Sequence, residues 1–146
     1  MEGAMRVKHV LQVAGVALAL LAVLFGCSFG VTIQGRIEQF LEDLNATSRD
    51  QLYLNLDPAL TDYNSLKDPL YWDGWFPLVG GGTSYFLVNQ VTDDSGVTTA
   101  IVTADISGPA TFLGPKALVI GLVKDGLNWM IHTITLDAID VVPYNP

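Results

Sequence analysis

The chain of 146 residues has one cysteine, two histidines and seven lysines or arginines, and each scarcity removes a class of chemistry. The cysteine, Cys27, lies near the start, so the residues after it have neither a disulfide nor a thiol nucleophile. Oxidising compartments permit disulfides without requiring them, so export stays open. Cys–His nucleophilic chemistry does not. His9 falls in the N-terminal segment and His132 stands alone, which leaves no ligand set for zinc. Beyond residue 26, five basic residues face fourteen acidic ones, a formal charge of −9. Such a domain is repelled by phosphates, so nucleic acid is excluded as a partner. Gly80-Gly81-Gly82 lacks the Lys-Ser/Thr pair of a phosphate loop, and no serine sits in a Gly-x-Ser-x-Gly elbow. Asp57, Asp62, Asp68 and Asp73 are too widely spaced for a calcium loop, and Asp93-Asp94-Ser95-Gly96 reads as a turn. Neither a metal nor a cofactor is expected.

What is present begins with an apolar run. Val10 to Phe25 carries no charge and follows Arg6 and Lys8, the layout of a secretory signal. Met1 and Met5 both suit its start. Leu24-Phe25-Gly26-Cys27 resembles a bacterial lipobox, with Phe25 in place of the usual small residue. In lipoproteins the Cys thiol receives a diacylglycerol and the signal is cleaved just before it. Each buried methylene of the acyl chains, palmitate among them, contributes about 0.8 kcal/mol, so two or three chains hold where one does not. The expectation is therefore a signal peptide over 1–26, a lipidated tether over 27–31 and one domain over 32–146. Ser28 lacks the aspartate that retains some lipoproteins at the inner membrane, which leans the placement outward. The alternative is an uncleaved single span from Val10 to Val31, since about 20 apolar residues suffice to cross a bilayer.

In the domain the hydrophobic period changes once. Ile33, Ile37, Phe40, Leu41 and Leu44 form one helical stripe behind Thr32 as N-cap, with Glu38, Glu42 and Asp43 on the wet face. Ser48 and Gln51 have capping-box spacing and predict a second, shorter helix that buries Leu52 and Leu56 and stops at Asp57-Pro58. Residues 61–82 read as irregular, with two prolines and four glycines. From there the period is two. Strands are predicted over 83–91, 97–106, 116–124 and 128–136, the last two joined by the hairpin signal Asp125-Gly126. Pro143 and Pro146 limit the tail. The fold class is α+β: N-terminal helices packed on a curved antiparallel sheet of about four or more strands.

The pieces RIEQFLEDLNA, RDQLYLNL, DYNSLKDPLYWDGWF and KDGLNWMIHTITL together resemble the nuclear transport factor 2-like superfamily, in particular its small bacterial lipoproteins. The resemblance covers the whole domain and implies a cone, a strongly bent sheet wrapped around helices with a pocket at its open end. Members include ketosteroid isomerases, polyketide cyclases and many pure binding domains, so fold alone does not give function. The enzymes place a His or Asp base inside the cone, and His132 and Asp105 are the candidates on strands. His132 alternates with Met130 and Ile134 on an apolar face, without a partner at a diagnostic spacing. Tyr71, Trp72, Trp75 and Phe76, with Trp129 and His132, either line a pocket or plug the core. The function expected is a membrane-anchored envelope lipoprotein whose domain binds a small apolar ligand or an envelope protein. The alternative is a small isomerase or cyclase using His132 or Asp105.

Overall fold

The computed structural model describes residues 30–78, 84–109, 112 and 114–143. The expected signal peptide and lipidated Cys27 lie outside the described residues. Among these, no helix is long and apolar enough to cross a membrane.

Helix α1 spans Ile33–Asn45, and Thr32 caps it by accepting the Gly35 N–H at 3.0 Å. Its stripe is buried at Ile37, Phe40, Leu41 and Leu44, and also at Arg36, which occupies the same face. The second predicted helix is a single 3-10 turn, Leu52–Asn55. Ser48 closes on Asp50 and makes no box with Gln51. Leu52 and Leu56 are nevertheless fully buried. The region read as irregular contains a second 3-10 turn, Ser65–Lys67, and helix α2, Pro69–Trp75. Asp68 accepts the Leu70 N–H at 3.0 Å and Pro69 takes the first helical position. Proline is at home there because its missing N–H would have no helical partner.

Five strands follow among the described residues: β1 Phe86–Asp93, β2 Thr99–Ser107, β3 Lys116–Asp125, β4 Asn128–Leu136 and β5 Ile139–Val142. They form one antiparallel sheet in chain order. The β3–β4 hairpin turns on Gly126-Leu127, with Asp125 paired to Asn128 and Gly126 at φ +59°. The β4–β5 turn is Asp137-Ala138, with φ +49° and +66°. Two positive values in a two-residue loop match the right-handed twist of the strands. Asp137 is held there by donating its N–H to Ala117 O (2.8 Å) and accepting the Ala117 N–H (3.1 Å). The Lys116 ammonium at 2.9 Å keeps its carboxyl below the usual range.

One face of the sheet carries the core. Val102, Ala104 and Ile106 from β2, Leu118, Ile120 and Leu122 from β3, and Ile131, Ile134 and Leu136 from β4 meet the α1 stripe, Leu66, Trp72 and Phe76. The other face, including Thr99, Ile101 and Thr103, is open to solvent. Two arginines complete the interior. Arg49, 3% exposed, donates to Leu44 O at the end of α1 (2.9 Å), to Phe76 O at the end of α2 (2.5 Å) and to Asp73 (2.8 Å). Those carbonyls have no partner within their helices, so one guanidinium closes both. Burial lowers the Arg49 pKa and Asp73 opposes that shift. Asn45 ties α1 to the residue before β1, accepting the Tyr85 N–H and donating to Tyr85 O.

Arg49→Ala would leave two helix-end carbonyls and Asp73 without their donor. It is expected to cost about 3 kcal/mol, read as a drop in the urea midpoint at unchanged slope. A left-handed alanine costs about 1–2 kcal/mol, partly offset by glycine's larger unfolded entropy. Ala138→Gly is therefore expected to raise stability by about 0.5–1 kcal/mol in the same measurement.

Candidate functional site

Strand β5 pairs only with Ile134–Leu136, so the first half of β4 has an outer edge without a strand neighbour. Three segments satisfy it. Trp129 donates its N–H to Val31 O (3.1 Å), and the Val31 N–H donates to Asn128 Oδ1 (3.0 Å). Arg36, 6% exposed, donates Nε–H to Trp129 O (2.6 Å) and further N–H groups to Gln39 and to buried Asn55. Asn55 donates in turn to Asp43 (2.7 Å), so Asp43 faces this network and not the wet side. Burial lowers the Arg36 pKa and the nearby Asp43 opposes it. Last, Leu56 forms a parallel bridge with Ile131, and the Asp57 N–H donates to Ile131 O at 2.7 Å.

That bridge brings Asp57 to His132. In β4, Thr133 pairs with Gly121 and Ile131 with Leu122, leaving His132 as the extra residue of a β-bulge. Gly121 permits the close approach: a Cβ there would lie 2.3 Å from Thr133 Oγ1. A bulge re-aims side chains, and here it turns both Ile131 and Ile134 into the core, three residues apart. His132 is thus not on an apolar face with Met130 and Ile134, as strict alternation implies. Its side chain is 45% exposed, and Nδ1 lies 2.8 Å from Asp57 Oδ2. Asp57 Oδ1 accepts the Ala59 N–H at 2.9 Å. The carboxylate is therefore fixed at both oxygens. In the neutral imidazole the proton sits on Nδ1, facing the carboxylate, and Nε2 presents a lone pair. That nitrogen has no partner among the described residues, and the residue borders an open groove of about 360 Å³ lined by Ala59, Leu60, Thr61, Asp62, His132 and Pro143.

The other candidates lie elsewhere. Asp105 is on the solvent-facing side of β2, paired with Asn89 and Ala117, and does not line this groove. Trp72 and Phe76 are buried; the Trp72 indole donates to Leu66 O at 2.9 Å and its ring meets Phe40 edge-on. Tyr71 and Trp75 are half-buried against this cluster, with the Tyr71 hydroxyl donating to Val141 O. Trp129 is half-buried on β4 beneath the Lys124 ammonium. The aromatic set and His132 thus do not share one cavity. No group of three or more His, Cys, Asp or Glu able to hold a metal occurs among the described residues. No family model, curated protein or solved structure matches this chain.

Sequence reading placed Asp57 at a helix end and missed it as the histidine's partner, 75 residues away. The available signal was the pair Ile131 and Ile134: a strand with core residues three apart must carry a bulge.

The tautomer is open to a direct test. With Ala59 N–H holding the oxygen, Asp57→Asn turns an amide N–H toward Nδ1 and drives the ring proton to Nε2. Ring ¹⁵N shifts are expected to report Nδ1–H in the native protein and Nε2–H in the variant. An unchanged pattern would show that Asp57 does not set the tautomer.

Proposed function

We propose that this protein is an envelope lipoprotein, lipidated at Cys27, whose cone-like domain is a non-catalytic binding module of the nuclear transport factor 2-like type. The observation that supports binding most is the apolar surface on β1 and β2. Phe86, Val88 and Val91 are 55%, 53% and 61% exposed on β1, whose outer edge has no strand neighbour among the described residues, and Ile101 of the adjacent β2 is 41% exposed. Large apolar side chains grouped on a surface favour association, and an unpaired strand edge offers a row of backbone donors and acceptors. The covered side of the sheet is filled by Trp72 and Phe76. A protein partner on the outer side therefore suits the molecule better than a small apolar ligand inside it.

The tether fits the same reading. Val31 is hydrogen-bonded to the start of β4, only four residues after Cys27, so an acylated Cys27 would hold the domain close to the bilayer. An outer-membrane position is preferred, given Ser28 after the cysteine. The isomerase or cyclase alternative asks for a base inside the cone; His132 faces an open groove and Asp105 the solvent side of the sheet.

Intact mass of the membrane-extracted protein tests the anchor. The expected species starts at Cys27 and carries acyl groups, and Cys27→Ala is expected to remain unprocessed. A full-length, unacylated mass would replace the lipid anchor with a transmembrane span over Val10 to Val31.

A further inference from the structure

We infer that the Asp57–His132 groove is a binding site for a small primary ammonium group with an aliphatic body. The inference goes beyond the binding module proposed above and does not depend on the lipid anchor. It starts from what the groove offers. With Asp57 holding Nδ1–H, the imidazole presents Nε2 as an acceptor. Thr61 and Asp62 stand in the same wall, which has no lysine or arginine. A ligand that fits must bring donors. An ammonium group brings three N–H bonds on one compact centre and is drawn to a domain of formal charge −9. Ala59, Leu60 and Pro143 place aliphatic carbon in the same lining.

The carboxylate–imidazole pair is built for this task and not only for tying a loop to a strand. The bridge of Leu56 to Ile131 and the Asp57 N–H to Ile131 O already hold that loop. The Asp57–His132 contact adds a third tie to the two backbone ones. What Asp57 adds is a fixed ring orientation and a fixed proton.

The test uses the full-length protein, solubilised in detergent and ¹⁵N-labelled at histidine, with His132→Gln to assign the signals. It is run at about pH 8, above the usual imidazole range. n-Butylammonium is expected to move the His132 Nε2 resonance saturably, with a Kd in roughly the millimolar range. n-Butyltrimethylammonium has the same charge and chain but no N–H, and is expected to bind at least about tenfold more weakly, the loss of a charge-assisted hydrogen bond. Asp57→Asn, which puts the proton on Nε2, is expected to weaken n-butylammonium by a similar factor. Equal responses to the two cations would overturn the inference in favour of unspecific attraction to an acidic surface, and no variant is needed to see it. The absence of a saturable shift would overturn it outright.

Discussion

The outer edge of strand β4 governs this structure. A strand in a sheet has donors and acceptors on both sides, and β5 is too short to take those at Trp129 and Ile131. Left in the interior without partners, such groups cost more than a typical hydrogen bond contributes. The chain answers with Val31, the Arg36 guanidinium and the backbone of Asp57. These come from before α1, within α1 and after the 3-10 turn. One unpaired edge therefore fixes where the N-terminal segment joins the sheet, how α1 is rotated, and where Asp57 stands. The Asp57–His132 contact is a consequence of that edge.

The two buried arginines solve the same problem in two places. Arg36 serves a strand edge and Arg49 serves two helix ends, each with several donors in a rigid fork. Their charges are balanced differently. Arg49 meets Asp73 directly, whereas Arg36 reaches Asp43 through Asn55. Neither is an isolated ion pair whose removal as a unit would be neutral, because Arg36 also holds Trp129 O and Arg49 the carbonyls of Leu44 and Phe76.

Much of the fold was legible in the chain, and the misses share a cause. Apolar period gave α1, β2, β3 and β4 and the helices-before-sheet order, because burying a stripe or a face is a local pattern. It did not give α2, whose start, Asp68-Pro69, was a good cap signal hidden among glycines and prolines. The turn at Leu52–Asn55 was read as a longer helix because the leucine spacing fits one; the backbone extends at Leu56 to bridge Ile131, a partner 75 residues on. Arg36 sits at the i+3 position of the stripe Ile33, Ile37, Phe40, so its burial was visible in the spacing and masked by its charge. The site failed for the same reason as the turn. His132 leaves the alternating pattern through a bulge, and its partner is distant in sequence, so neither propensity nor spacing brings them together.

The attachment at Val31 also has a mechanical consequence. A pull applied from the N-terminal side reaches the Val31 bonds to Asn128 and Trp129 before it reaches the first turn of α1. The load passes into β4, which is hydrogen-bonded along its length to β3, and is shared by the sheet. Helix α1 is spared from unwinding at its cap. A protein fixed at that end can be tugged without its helices being the first parts to give.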